Sequence, residues 1–226
     1  MCSRYEMKAR PGDLAERFRL QGEPPDLARP EVRPTDPAPI VVRAEDGARF
    51  ARVARFGLNV TWNRAPVINA RAETLQAKPT FRPLLLNRCL VPASAYFEWR
   101  QDGRARRRNR IALSDEGLMG FAGLFDSDRF VIITCAVAAG ESPPPSKYRR
   151  EPPGSSTRGS LAAAAALAQI HDRMPAILPP EAEELWLDPN TTSDALAALL
   201  APYAGGIAAV EDKPKPRVQG DLFGGA

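Results

Sequence analysis

The residues with the most chemistry to offer open the chain: Met1-Cys2-Ser3-Arg4. Methionine aminopeptidases remove Met1 when the next side chain is small, which leaves a free α-amino group and a thiol on adjacent carbons. The amine has a reference pKa near ~8 and the thiol near ~8.5, so each keeps a usable nucleophilic fraction at neutral pH. Such a 1,2-aminothiol condenses with an aldehyde to a Schiff base, and the thiol then closes a thiazolidine ring. The same pair can also act as an N-terminal-nucleophile hydrolase, with the amine as base for the thiol. Taken alone, a single cysteine is weak evidence for either, and residue 2 can equally be just where the gene starts.

Two other side chains could move protons. His171 is the only histidine, so besides a perturbed cysteine it is the one side chain expected to titrate near neutrality. Glu98 lies in a stretch where strand alternation puts Tyr96 and Glu98 on one face, Phe97 and Trp99 on the other. A carboxylate beside aromatics is partly desolvated, which favours its protonated form and suits acid–base work. On their own, a solvent-facing strand glutamate and a structural histidine are the commoner cases.

Composition bounds the class. A chain of 226 residues with 44% hydrophobic content buries one sizeable core, so one domain with tails is expected. The net charge of +4 permits nucleic-acid binding without requiring it. Cys2, Cys89 and Cys135 form an odd set with no paired spacing, which points to neither a disulfide framework nor a zinc knuckle. A single histidine argues further against a histidine-based metal site. No apolar run reaches transmembrane length and MCSRYEMK lacks a signal-peptide core, so the expectation is a soluble, cytoplasmic monomer with no membrane partner.

The elements that must position these groups read as mostly strand. Gly12-Asp13 opens a short helix, and Gln21 to Pro39 reads as an extended loop. Strands are expected at 40–42, 51–56, 89–92, 95–100, 110–113, 118–124 and 130–135, with a polar loop at 61–74. Arg100 to Arg110 reads as a charged hairpin tip. Pro179-Pro180-Glu181 starts a helix through Leu187, and Ser193-Asp194 caps another through Leu200. The fold class is α+β. Residues 140–166 have the composition of a disordered insertion, and residues 211–226 that of a flexible tail.

Four blocks carry a resemblance: MCSRY at the start, VINARAET at 67–74, NRCLVPASAYFEW at 87–99 and IHDRMPAIL at 170–178. In this order they resemble the SRAP family, the SOS response-associated peptidases or abasic site processing proteins, over residues 2–210. The resemblance implies one domain of antiparallel strands in a curved or barrel-like core with peripheral helices. It implies a protein of the DNA damage response, nucleoid-associated, that binds single-stranded DNA and links covalently to an abasic site through a thiazolidine on Cys2. It also implies Glu98 and His171 as acid–base groups and Asn69 as the residue that orients the Cys2 amine. Arg4 and Arg71 match phosphate-holding arginines, joined by Arg173, while Trp62 and Pro34 match residues set against bases or sugars. The alternatives are an autoprocessing cysteine peptidase using the same groups, and a module that binds single strands without a covalent step. Three departures stand out: Ser3 replaces a glycine, Phe56-Gly57-Leu58 replaces Trp-Gly-Leu, and Thr134-Cys135 replaces Thr-Thr. Beyond the domain, Gln219-Gly220-Asp221-Leu222-Phe223 resembles the pentapeptide that binds the bacterial replication sliding clamp, with Gln219, Leu222 and Phe223 as its contacts.

Overall fold

The apolar segments of the chain are short and rich in β-branched and aromatic residues, and they pair into sheets because their backbones can be satisfied only by one another. The computed structural model describes residues 2–137 and 166–212. Five strands form a closed ring: β3 (Pro37–Arg43), β4 (Arg49–Phe56), β8 (Arg88–Ala93), β11 (Met119–Asp126) and β12 (Arg129–Ala136). Antiparallel pairing runs β4–β3–β8–β11–β12, and a parallel contact, Phe130 opposite Phe56, joins β12 back to β4. Closure removes the free edges that an open sheet of such apolar strands would expose. It also explains why every residue of β8 is buried: one face fills the barrel and the other is covered.

A second sheet packs on this barrel, in the order β15 (Ile207–Glu211), β10 (Ala105–Leu113), β9 (Ala95–Asp102), β1 (Arg4–Met7), β2 (Arg29–Val32). Its inner face meets the barrel through aromatic edges. Tyr5 lies edge-on to Phe56 at 5.7 Å and to Phe121 at 6.2 Å, Tyr96 meets Phe121 at 6.1 Å, and Phe56 stacks on Phe130 at 5.3 Å. Each such pair contributes about 1 kcal/mol beyond the area it buries.

Helices cover the outside. α1 (Pro11–Phe18) begins at a proline, which loses no hydrogen bond there, and buries Leu14 and Phe18. α2 (Pro180–Leu187) and α3 (Ser193–Leu199) follow β13 (Arg173–Pro175) and β14 (Ile177–Leu178). Glu183 of α2 is buried and takes Arg17 of α1 at 2.7 Å and Arg49 of β4 at 3.3 Å, so one carboxylate ties both helices to the barrel.

The α+β class, the barrel core and the peripheral helices are as the sequence leads one to expect. Several loop expectations are overturned. Within Gln21 to Pro39 lie β2 and the start of β3; within 61–74 lie β6 (Asn63–Val67) and β7 (Asn69–Arg71), with β5 (Leu58–Val60) just before them. Their backbones gain partners in the sheets, which outweighs their prolines and polar side chains. The arginine-rich 100–110 stretch is strand almost throughout: β9 and β10 pair from Asp102–Ala105 to Tyr96–Ile111, and the tip is Gly103-Arg104 alone. At the C-terminal side, β15 runs to Glu211, and the Asp212 N–H donates to the Arg108 carbonyl at 2.8 Å, so the order extends past Val210. All but the last residue of the 140–166 segment lies outside the described residues, as does the tail from residue 213.

Candidate active site

β1 delivers the first of the site residues. It pairs with β9 in the register Arg4–Phe97, Tyr5–Tyr96 and Glu6–Ala95, which brings the chain start alongside Glu98. Cys2 is fully buried, with its thiol 3.7 Å from the Arg4 carbonyl oxygen. Burial pushes the thiol well above its ordinary pKa, and the Glu98 carboxylate pushes it further the same way. Burial also raises Cys89, and Cys135 to about 12. Cys135 also feels a carboxylate, Glu73, but with Arg173 opposing it; what singles out Cys2 is its place at the chain start beside Glu98.

Glu98 is 3% exposed. Burial raises its carboxyl to about 7, with the Asp172 carboxylate adding to the shift and Arg106 opposing it. Both Cys2 and Asp172 are thus within electrostatic reach of one partly protonated carboxyl. The alternation read from the sequence holds: Tyr96 and Glu98 face inward, and Trp99 faces out among arginines. Asn109, buried directly opposite Glu98 across the β9–β10 ladder, escaped the sequence reading; its Nδ2 donates to the Arg107 carbonyl at 3.0 Å. The position was hidden because Asn109 sits in a run of arginines that reads as solvated.

His171 is carried in by a turn in which its N–H donates to the Leu167 carbonyl at 2.9 Å. Its Nδ1 lies 3.0 Å from the Arg173 N–H and 2.8 Å from Asp172 Oδ1, and one nitrogen cannot accept from the first and donate to the second at once. Burial lowers the imidazole pKa, and Asp172 is exposed, so the neutral ring is favoured. Nδ1 then accepts from Arg173 and the proton rides on Nε2, an assignment made from the hydrogen bonding.

Asn69 is held by β7, which pairs in parallel with β12 so that Asn69 faces Ile132 and Arg71 faces Thr134. Its Nδ2 donates to the Ile132 carbonyl at 3.5 Å, and its Oδ1 is buried with no hydrogen-bond partner among the described residues. A buried amide oxygen left open in this way is costly unless a ligand N–H completes it.

The arginines divide. Arg71 is exposed at the end of β7. Arg173, in contrast, is largely buried: it donates to Glu73 at 2.9 and 3.2 Å and to the Thr134 hydroxyl and carbonyl at 3.2 and 2.6 Å. Arg4 pairs with Glu31 at 2.8 Å and lies over Trp99. Trp62 is 67% exposed at the two-residue turn joining β5 and β6, and this hairpin leads straight into β7. Pro34 sits in the turn Arg33–Asp36, closed by the Asp36 N–H on the Arg33 carbonyl at 3.0 Å. The next residue, Thr35, adopts φ +78°, a backbone region that a β-branched residue rarely takes and that stores strain.

A closed barrel with a packed second sheet is an architecture shared with solved structures. A crystal structure of a protein from Bacteroides thetaiotaomicron superposes with a TM-score of 0.72 at 26% identity, over 93% of this chain and 91% of that one. The chain belongs to the SOS response associated peptidase (SRAP) family, which residues 1–213 match. It is similar to the abasic site processing protein YoqW of Bacillus subtilis, 32% identical over 90% of this chain and 88% of that protein. It is also similar to the abasic site processing protein YedK of Escherichia coli, 30% identical over 56% of this chain and 49% of that protein.

Proposed function

We propose that this protein processes abasic sites in single-stranded DNA and captures them covalently on Cys2, once removal of Met1 puts a free amine on that residue. The amine nitrogen adds to the ring-opened aldehyde carbon, and the carbinolamine loses water to give an iminium. The thiol sulfur then adds to the same carbon, loses its proton and closes the thiazolidine. The observation that carries this reading is a thiol beside a buried carboxyl that titrates near about 7. At neutral pH such a carboxyl is part acid and part base, so Glu98 can protonate the departing hydroxyl and then accept the thiol proton. The resting thiol stays protonated and becomes a good nucleophile only when the positive iminium forms next to it.

The other residues have roles that suit their surroundings. His171 offers an Nε2 proton, and the open Oδ1 of Asn69 accepts from the amine or the adduct. Arg4 and Arg71 hold phosphates beside the lesion, with Arg173 steadying Thr134 and Glu73 behind them. Trp62 and Pro34 lie against bases or sugars, where stacking tolerates any sequence. Cys2 has no accessible surface, so an abasic sugar reaches its thiol only once the chain start moves aside. The names of the relatives support the same substrate. No step needs a metal or an organic cofactor.

A single-stranded oligonucleotide with one abasic site tests this directly on a denaturing gel. The expected product is a heat-stable shifted band, absent for Cys2→Ala, which should still bind the oligonucleotide reversibly. Cys2→Ser should give only a labile Schiff base that borohydride traps. A stable adduct from Cys2→Ala would remove the mechanism, reversible binding alone would leave a binding module, and a cleaved peptide alone would leave a peptidase.

The proposal extends to the pentapeptide Gln219–Phe223, which lies outside the described residues. With Leu222 and Phe223 as anchors it would dock on a sliding clamp and raise the local concentration of Cys2 at replication forks. A labelled peptide of residues 210–226 should bind the host clamp, and the Leu222→Ala/Phe223→Ala peptide should not. Equal binding by the two ends the idea.

A further inference from the structure

On the outer face of the second sheet three guanidiniums converge on one carboxylate. Glu31 of β2 takes Arg4 at 2.8 Å and Arg33 at 2.6 Å on Oε1, and Arg108 at 2.6 Å on Oε2. Arg108 comes from β10, two strands beyond β1, and crosses the Phe97 ring at 3.7 Å from its centroid to get there. Next to the cluster stands Trp99, with the guanidiniums of Arg4, Arg106 and Arg108 at 5.5, 5.9 and 5.9 Å from its ring. Asp212 takes a second contact from Arg108 at 3.3 Å, yet the four arginines outnumber the two carboxylates and the patch stays positive.

Guanidinium forks bind carboxylates and phosphates with the same geometry, because both present paired oxygens to paired N–H groups. Each guanidinium has five N–H donors, so one bond to Glu31 leaves several for another anion. The Glu31 side chain is only 13% exposed, so its charge is held in place among the arginines rather than free in solvent. The burial of Glu31 alone would raise its carboxyl, but the Arg33 hydrogen bond and the charges of Arg108, Arg33 and Arg4 bring it below its ordinary value, and it is ionised at neutral pH.

We propose that Glu31 stands in for a DNA backbone phosphate: Arg33 and Arg108 join Arg4 in a phosphate contact beyond the lesion site, and Glu31 weakens that contact for every single strand. This rests on the reading of the protein as a single-strand binder that reacts at Cys2. It makes Glu31 a specificity residue, because a strand held loosely is released unless the covalent step retains it. A competing carboxylate in the binding patch thus trades affinity for undamaged DNA against capture of the lesion.

The pairs of Glu31 with Arg4 and Arg108 could instead serve only to staple β2 to β1 and β10, with Arg33 a local contact, and the two roles differ in sign. Breaking a staple from either side does the same harm. For a phosphate surrogate, loss of the cation and loss of the anion act in opposite directions. The test uses the full chain, a fluorescent undamaged oligothymidylate and anisotropy titrations at several salt concentrations. Arg33→Gln, at an exposed side chain, is expected to weaken binding severalfold and to reduce the slope of log K against log salt by about 0.7, the value for one phosphate contact on a single strand. Glu31→Gln is expected to tighten binding about tenfold at low salt and to steepen that slope. Changes in the same direction for both variants, or no change in either, would overturn the proposal. Crosslinking of the parent to an abasic oligonucleotide is scored separately: its absence would sink the covalent reading, while the salt slopes would still judge Glu31.

Discussion

The carboxyl of Glu98 ionises near 4.5 in an unfolded chain and near about 7 in the fold, because burial penalises its charge. Between those values the folded state holds the proton and the unfolded state has lost it, so stability falls as the pH rises through this window and levels off above it. At about 1.4 kcal/mol per unit, the loss by pH 8 is on the order of 3 kcal/mol. Glu98→Gln keeps the shape and removes the titration. It should match the parent in urea denaturation at pH 4 and exceed it at pH 8 by up to about 3 kcal/mol, while crosslinking slows. Equal stability of the two proteins at both values would mean that Glu98 is not a buried acid. Its inward orientation was legible from period-2 alternation around Tyr96 and Trp99, and burial then followed. The carboxylates that engage the arginines were not legible. Glu31 meets Arg4 across 27 positions and Glu73 meets Arg173 across 100, and no local pattern in the sequence marks such pairs.

At the scale of elements, the β5–β6 hairpin must hold Trp62 out and lead the chain into β7. It leaves β4 at Gly57, whose φ of +106° suits glycine and whose added Cβ would come within 2.8 Å of Pro66 Cβ. The Gly57 N–H donates to the Phe130 carbonyl at 2.7 Å, so the backbone cannot shift without breaking from β12. Gly57→Ala is therefore expected to cost about 2 kcal/mol in denaturant unfolding and to weaken single-strand binding, since Trp62 and Asn69 lie downstream on the same ribbon. No loss on either measure would show that the hairpin does not position the site. The central strands were legible because β3, β8, β11 and β12 are largely apolar along their length and β4 keeps five apolar residues among its three arginines. β5, β7 and β13 have three residues each, too few to display a period, and they exist because β6 and β12 supply partners that their own sequence does not reveal.

At the scale of the molecule, the barrel and the second sheet bring together residues from opposite ends of the chain: Cys2 from the first strand's approach, Glu98 from the middle and Asp172 from beyond it. The class of fold could be read from strand-like runs, but the closing contact of β12 with β4 could not, because parallel pairing across more than seventy residues leaves no local trace. What could be read was the outcome of that folding, through the four blocks whose spacing matches the family. The central claim is that both the amine and the thiol of Cys2 end in one ring with the lesion carbon. The most direct measurement is the mass of the N-terminal peptide after the crosslinked protein is digested. The account predicts a peptide that starts at Cys2, lacks Met1, carries the abasic sugar with the loss of one water, and is unchanged by borohydride. A peptide that retains Met1, or that gains two hydrogens on borohydride treatment, would contradict it.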